Sequence, residues 1–499
     1  MDRARQKKIR NVRVIATNAF MSISVIAIVF VLMIIAMGYT ITEDGLEQSG
    51  LLQVASHPSG ASVEIDGNSQ FGHTEFSKML SSAEHKVRIS KDGYDSWSRD
   101  VKIDGGLLTR IEWVRLFPNN PDIKNASTYK ELRLAQFSQN RKWLVTVEKD
   151  SDELVRSDIQ PDRLKNTRLK LSDLLGTDAE KARTGELSVL DWNENCNKAI
   201  LSWKTEDKTS WHLIDLEHAE NSIDLNKQFK HDFTDVAIAN SSASKLWALA
   251  DGNLYRIDIS DAKISDIIAS QVELIANNKD VVGFVNLENI VQKDDQPAKT
   301  ERHINTYKDG EESFVTVATL DENQKVAGLT MNTYWNEEWL AYSYGKELRI
   351  LAGKYPSYGK QNSKTLKAIL ERDLSFAPTL VSRGGKGNVI VFVGGKNMVS
   401  YDIETKRYYD TDLGIDITKI NWIDDYLLWE NVDNNVVVRD FDGSNRRGIA
   451  KQASPVLPAV ISENNDWLYY FEIPTETIEE TDAGQVKSIT INLKREKLQ

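Results

Sequence analysis

The stretch RGGKGNVIVFVGGKN, residues 383–397, decides how this chain folds. Two glycine-rich clusters flank five apolar residues, Val389, Ile390, Val391, Phe392 and Val393. To act as a phosphate cradle, such a cluster would have to open a helix, whose N-terminal N–H groups hold the anion. No helical periodicity follows; beyond Gly395 the chain continues as a second alternating segment, NMVSYDI. The clusters read as two hairpin turns around a buried strand.

Outward from this stretch the same pattern repeats. A polar turn precedes a short apolar strand in NRKWLVTVE, NKAILSWK, SKLWALAD, KDVVGFVN, EEWLAYSY, GNVIVFVG, DDYLLWEN and NDWLYYFE. Most are followed by a second alternating strand, as in WHLIDLE, NLYRIDIS, ELRILAG and NVVVRDF. With Leu144, Leu201, Leu249, Phe284, Leu340, Val391, Leu427 and Leu468 as markers, the intervals are 57, 48, 35, 56, 51, 36 and 41 residues. Units of about 40 to 50 residues with several strands each have the size of propeller blades. A single blade cannot bury both faces, so blades must stack radially, and closing the ring leaves only short edges. Eight markers predict eight blades, or seven if one unit is shared between the two ends of the chain. More than about twenty expected strands are too many for one sandwich.

One turn is more specific. VVVRDFDGSNRRGI, residues 436–449, resembles the strand-turn-strand signature of TolB-like propellers through Asp440, Asp442, Gly443, Asn445 and Arg447. Asp402 in YDIETKR and Asp258 in RIDISDAK stand at the same place in weaker copies. A calcium loop is the alternative for these carboxylates, but its remaining acidic ligands and closing glutamate are missing.

At the other end of the chain, Arg3, Arg5, Lys7, Lys8, Arg10 and Arg13 precede a run from Ile15 to Met37 without a charge. As a helix, 23 such residues span roughly 34 Å, enough for a hydrocarbon core of about 30 Å. Basic residues before the span and Glu43, Asp44 and Glu47 after it place the N-terminus in the cytoplasm and the body outside. Ala36-Met37-Gly38 leaves a cleaved signal peptide open as the alternative. The cytoplasmic tail is too short to fold.

After the span, SHPSGASVEIDG (56–67) reads as a turn, a half-buried strand and a second turn, and EHKVRISKDGYDSWSRDVKIDGG repeats the theme. Pro58-Ser59-Gly60-Ala61, Val63, Ile65-Asp66-Gly67, Gly72-x-Thr74, His85-x-Val87, Gly93-Tyr94-x-x-Trp97 and Val101-x-Ile103 resemble the PEGA domain over residues 50–116. Ser59 stands where the family has its glutamate, and Glu75 where a proline usually follows the threonine. The resemblance implies an extracytoplasmic β-module of envelope proteins, structural or surface-binding, with no catalytic residue. Gly60 and Gly67 are expected at turns with positive φ, and Tyr94 and Trp97 in the small core.

Composition narrows the function classes. The 499 residues carry a net charge of −12, and everything after Arg13 carries −17. Nucleic acid is therefore an unlikely partner for the body, since phosphate binding needs clustered cations. Cys196 is the only cysteine, which excludes an intramolecular disulfide, a redox pair and a thiolate zinc site; it reads as a small buried residue in a strand. GxSxG, HExxH, GxxxxGK[ST] and HxH motifs are absent, and His57, His73, His85, His212, His218, His231 and His303 are scattered. No catalytic, cofactor-binding or metal-binding residue is nominated. Trp143, Trp203, Trp247, Trp339, Trp429 and Trp467 belong to packed strands, while Trp192, Trp211, Trp335 and Trp422 lie nearer turns and are candidates for exposed contacts. Residues 150–170, 292–303, 357–367 and 475–484 read as polar loop insertions, and deleting 292–303 or 357–367 is expected to cost little stability.

The expected layout is all-β apart from one N-terminal transmembrane helix: a cytoplasmic basic tail (1–13), the helix (14–38), a stalk (39–49), a PEGA-like β-domain (50–116), a linker (117–129) and a β-propeller of seven or eight blades (130–499). The expected role is non-catalytic binding or scaffolding in the cell envelope, through the membrane and an envelope protein or cell-wall glycan. An enzyme with its site in the propeller channel and an envelope-protein assembly factor are the alternatives.

Overall fold

The computed structural model describes residues 2–36, 38–42, 45–160, 164–206, 208–290, 299–360, 365–481 and 484–499. The chain divides into two compact units, split between Asn120 and Pro121.

The first unit begins with a single helix, Asp2–Ala36. It takes in the basic tail that was expected to be too short to fold; Arg, Lys and Gln are good helix formers and simply extend the apolar helix toward the N-terminus. Its segment Val14–Ile34 has a mean hydropathy of 2.3, and none of it is buried. Where a stalk was expected, Tyr39–Thr42 pairs antiparallel with Gly45–Gln48.

Residues 50–115 form two sheets. Gly50–His57 lies between antiparallel Phe76–Leu80 and parallel Leu108–Arg115, while Ser62–Ile65, Glu84–Ser90 and Trp97–Lys102 follow one another in the second sheet with Asn68–His73 at its edge. Inward residues alternate on both, so Leu52, Val54, Val63, Ile65, Val87 and Ile89 share one core with Trp97 and Ile111. Trp97 is fully buried, and Tyr94 packs partly buried against that core. The motif threonine, Thr74, bonds Ser56 Oγ at 2.7 Å and accepts from the Ala61 N–H at 3.0 Å, fastening the turn to the first strand. His85 Nδ1 lies 2.7 Å from Asp66 Oδ2, and Asp66 Oδ1 accepts the Lys86 N–H at 2.8 Å. These bonds hold the Asp66-Gly67 turn, in which Gly67 has φ +76°.

The second unit contains eight sheets in chain order among the described residues, here called blades: 132–170, 186–224, 233–264, 272–321, 326–373, 380–412, 421–451 and 459–497. The first seven are four-stranded meanders. All eight marker residues fall on the second strand of their blade, which is buried on both faces and so carries the strongest apolar run in the sequence. The eighth blade is completed by Ile123–Tyr129, which pairs antiparallel with Gly484–Lys497, Ile123 opposite Glu496 and Tyr129 opposite Ile491. Residues 117–129 are therefore not a linker throughout: their second half closes the ring. Its exposed, polar residues hid it, because an outermost strand has only one neighbour to bury against.

The core of this unit lies in the seams between blades. One apolar layer joins Val145 and Leu154 of blade 1 to Leu187 and Leu201 of blade 2; others follow between blades 2 and 3, 3 and 4, 4 and 5, and 5 and 6. The closing seam packs Phe137 and Leu144 of blade 1 against Trp467, Tyr469 and Phe471 of blade 8, and the Tyr469 hydroxyl donates to the Ile159 carbonyl at 3.0 Å. Trp247 and Trp339 are wholly buried; truncating either to alanine costs about 3–5 kcal/mol by the usual measure of large core side chains.

The expected insertions are more ordered than read. Residues 299–303 belong to the strand Lys299–Lys308, and Arg302 there makes a bidentate pair with Glu273 at 2.7 and 3.0 Å, so removing 292–303 would break a blade. Within 150–170 lie the strands Glu153–Asp158 and Lys165–Lys170, and Thr475–Thr481 pairs antiparallel with the last strand. Residues 161–163, 292–298, 361–364 and 482–483 of these segments lie outside the described residues.

Candidate binding rim of the propeller

Because the first seven blades are meanders with the same strand order, their turns joining strands one to two and three to four emerge at one rim, as does the turn between the first two strands of the eighth. Two constructions recur there. Before the second strand, a polar side chain caps the turn: Trp143 N donates to Ser138 Oγ (2.9 Å), Lys198 N to Asn193 Oδ1 (2.8 Å), Lys245 N to Asn240 Oδ1 (3.3 Å) and Trp467 N to Ser462 Oγ (3.1 Å). After the third strand an aspartate caps the next turn: Asp158, Asp215 and Asp402 each accept the N–H two residues on at 3.0 Å, and Asp258 accepts that of Asp261 at 3.2 Å. In blade 7, Asp440 Oδ2 accepts from Asn445 Nδ2 at 2.9 Å and Asp442 Oδ1 from Ser444 Oγ at 2.7 Å. These carboxylates are spent on the turn itself. No group of three His, Cys, Asp or Glu among the described residues is arranged to hold a metal ion.

Trp335 sits at this rim, in the turn between the first two strands of blade 5, with φ +55° and 73% of its surface exposed. It borders a groove of about 830 Å³ between blades 5 and 6 whose other walls include Tyr334, Glu337, Lys354, Lys367 and Lys406. The Tyr334 hydroxyl donates to Glu404 Oε2 at 2.6 Å, bridging the two blades, and burial together with that carboxylate pushes its pKa up. A second groove, of about 1180 Å³, runs between residues 314–317 of blade 4 and 356–360, and the two share Thr365. An open groove with one rigid aromatic and charges of both signs suits a polar, extended partner.

The other turn-proximal tryptophans differ from expectation. Trp192 and Trp211 are buried in seams, Trp211 donating from Nε1 to the Phe233 carbonyl at 2.8 Å; Trp422, half-buried, donates to Ser382 Oγ at 3.1 Å. A tryptophan beside a turn still faces a neighbouring blade, which a linear reading does not reveal. Cys196 is buried as expected, but in a turn with φ +51° rather than in a strand. His212 is buried and its pKa falls to about 4 by desolvation, whereas His303 lies between Glu288 and Glu301, each at 3.3 Å.

The opening glycine stretch is the turn of blade 6 at this rim, between Leu380–Arg383 and Val389–Gly394. Its glycines are demanded by neighbours. A Cβ on Gly385 would meet Asp425 Oδ1 of blade 7 at 2.2 Å, and one on Gly387, at φ +72°, would meet Asn332 Nδ2 of blade 5 at 1.7 Å. Arg383 begins this turn. Nearby, Arg141 of blade 1 binds Asp425 at 3.1 Å and the Ile461 carbonyl of blade 8 at 3.2 Å, tying three blades together. Sequence reasoning missed these residues because no spacing signals a contact made around a ring.

Residues 49–114 match the PEGA domain. No curated protein matches the chain. Among solved structures, Porphyromonas gingivalis dipeptidyl peptidase 4 is similar at 10% identity over 73% of this chain and 64% of its own, with a TM-score of 0.47. Oligogalacturonate lyase from Vibrio parahaemolyticus is 10% identical over 75% and 98% (TM-score 0.38), and the Myceliophteria thermophila Cps50 (Swd1) beta-propeller domain 10% identical over 75% and 98% (TM-score 0.36). The fold assignment rests on the sheets and seams described above. The chain carries a PEGA domain at residues 49–114, followed by a β-propeller.

Proposed function

We propose that this is a membrane-anchored, extracytoplasmic binding protein of the cell envelope whose propeller rim holds a protein partner at the Trp335 groove. The basic residues before Val14–Ile34 support an N-terminus in the cytoplasm and a body outside it. One observation carries the binding reading: Trp335, a large apolar side chain, is held out of the core beside a groove of mixed charge. Exposed tryptophans of this kind are typical binding hot spots, and neighbouring charges select the partner. The role is non-catalytic in this reading.

The test is a pull-down with the full chain in nanodiscs against envelope proteins and, separately, purified cell-wall glycan. Trp335→Ala should weaken capture of the protein partner by about 2 kcal/mol, roughly thirtyfold in Kd. Retention by glycan alone would replace the protein partner with a carbohydrate. Turnover of a retained component by the purified chain would replace binding with catalysis.

A further inference from the structure

Among the described residues from 39 to 116, the large apolar side chains left exposed are Tyr39, Phe71, Met79, Leu107 and Leu108. All but Phe71 gather where the N-terminal helix enters the small β-domain. The Gly38 carbonyl accepts the Ser49 N–H at 2.7 Å, the Ser49 carbonyl accepts the Gly106 N–H at 3.0 Å, and the Leu107 carbonyl accepts the Leu51 N–H at 2.9 Å. Met79 Cε lies 3.3 Å from the point where a Cβ on Gly38 would stand.

Register sorts the outer face of the three-stranded sheet by polarity. Leu52 and Val54 turn into the core, so Leu51 and Gln53 face outward. Leu51 pairs with Met79 on one side and Leu108 on the other, making an apolar row across all three strands. Gln53 pairs with Ser77 and Arg110, and that row is wholly polar. The change takes place within about 7 Å, two residues of strand.

Where the span ends decides what covers the apolar row. Gly38 comes four residues after Ile34, the last of the apolar segment Val14–Ile34. Four residues reach about 6 Å as helix and about 14 Å at full extension. The headgroup layer outside the hydrocarbon is roughly 5 to 8 Å deep on each side, and apolar faces that lie on a membrane sink about 5 to 10 Å into that boundary. A row fastened to Gly38 therefore meets lipid, and the polar row above it meets water. Tyr39 is an aromatic of the kind enriched at this level.

We propose that the small β-domain docks on the bilayer its own helix crosses, with Leu51, Met79, Leu107 and Leu108 set into the headgroup boundary of the extracytoplasmic leaflet. This rests on the anchored reading above and adds to it that the domain is held against the surface by its own side chains. Apolar insertion of this kind needs no anionic lipid.

The experiment uses the full chain in phosphatidylcholine vesicles, with an environment-sensitive nitrobenzoxadiazole label on Met79→Cys; Cys196, the only native cysteine, is buried. Flotation with the vesicles reads the anchor, and quenching by lipid carrying a nitroxide near the carbonyl end of its acyl chain reads the docking. The label at position 79 should be quenched about twofold or more. One on Asp92→Cys, in the turn between Glu84–Ser90 and Trp97–Lys102 at the opposite end of the domain, should not be quenched. Leu107→Ser combined with Leu108→Ser should remove about half of the quenching or more and leave flotation unchanged, since both side chains lie outside the core. Failure to float overturns the anchor and the docking together, whereas flotation without quenching overturns the docking alone. Quenching undiminished in the double variant would mean that the tether and not the apolar row sets the position, which also refutes the proposal. A label shielded from water yet unquenched by lipid would give the row to a second copy or another protein surface.

Discussion

Gly387 shows how a single residue here answers to a neighbour remote in sequence. Its positive φ could have been guessed from a turn reading, but the approach of Asn332 from the adjacent blade could not. Gly387→Ala should therefore destabilise the propeller by about 1–3 kcal/mol, through both strain and overlap, read as a lowered Tm of the full chain. Trp335→Ala should change stability by no more than about 0.5 kcal/mol, because the side chain is already in solvent; a larger drop would argue that the ring packs. In the PEGA domain Gly67 combines φ +76° with open space around its missing side chain. Gly67→Val should thus act through backbone strain alone, and hydrogen exchange should show loosening confined to residues 62–90. The tryptophans mark the limit of reading by residue: strand position correctly assigned Trp247 and Trp339 to the core, while exposure at turns held for Trp335 and failed for Trp192 and Trp211, since each turn residue also has a radial neighbour.

At the level of elements the second strands were legible and the outermost strands were not. Burial on both faces makes a second strand a continuous apolar run, whereas Ile123–Tyr129 is polar and mostly exposed. A finer signal was present in the turns: Ser138, Asn193, Asn240 and Ser462 each precede the start of a second strand by five residues, the spacing a side-chain cap requires, and would have set the phase of four blades. The closing pair also contains a buried carboxylate. Glu496 is 1% exposed, its Oε2 has no hydrogen-bond partner, and desolvation pushes its pKa up to about 8. A carboxyl whose folded pKa is raised favours folding while protonated, so its contribution is complete below about pH 4.5 and is lost as pH rises toward 8. Glu496→Gln should flatten the fall in Tm across that window, and a wild-type Tm that is already flat there would contradict the assignment.

For the molecule as a whole, the sequence made the ring visible but not the manner of its closing, nor the rim at which blades 5, 6 and 7 bring Trp335, Arg383 and Asp425 to one end. Deleting residues 122–129 should leave the eighth blade a strand short and the last seam open. Calorimetry should then show a broader transition at lower temperature, whereas an unchanged, single sharp transition would mean that the strand is ornamental.

Closure by Ile123–Tyr129 also imposes an order on biosynthesis. This strand is made before every other strand of the propeller, but its partner is the last to be made. At about 5 to 20 residues per second, roughly 20 to 70 s separate the two, during which a finished strand waits with nothing to pair with. An apolar edge exposed for so long would invite pairing with other chains. The segment IKNASTY, with Lys124, Asn125, Ser127 and Thr128, is composed to wait in water, and the polarity that disguised it as a linker protects the nascent chain until the ring can shut.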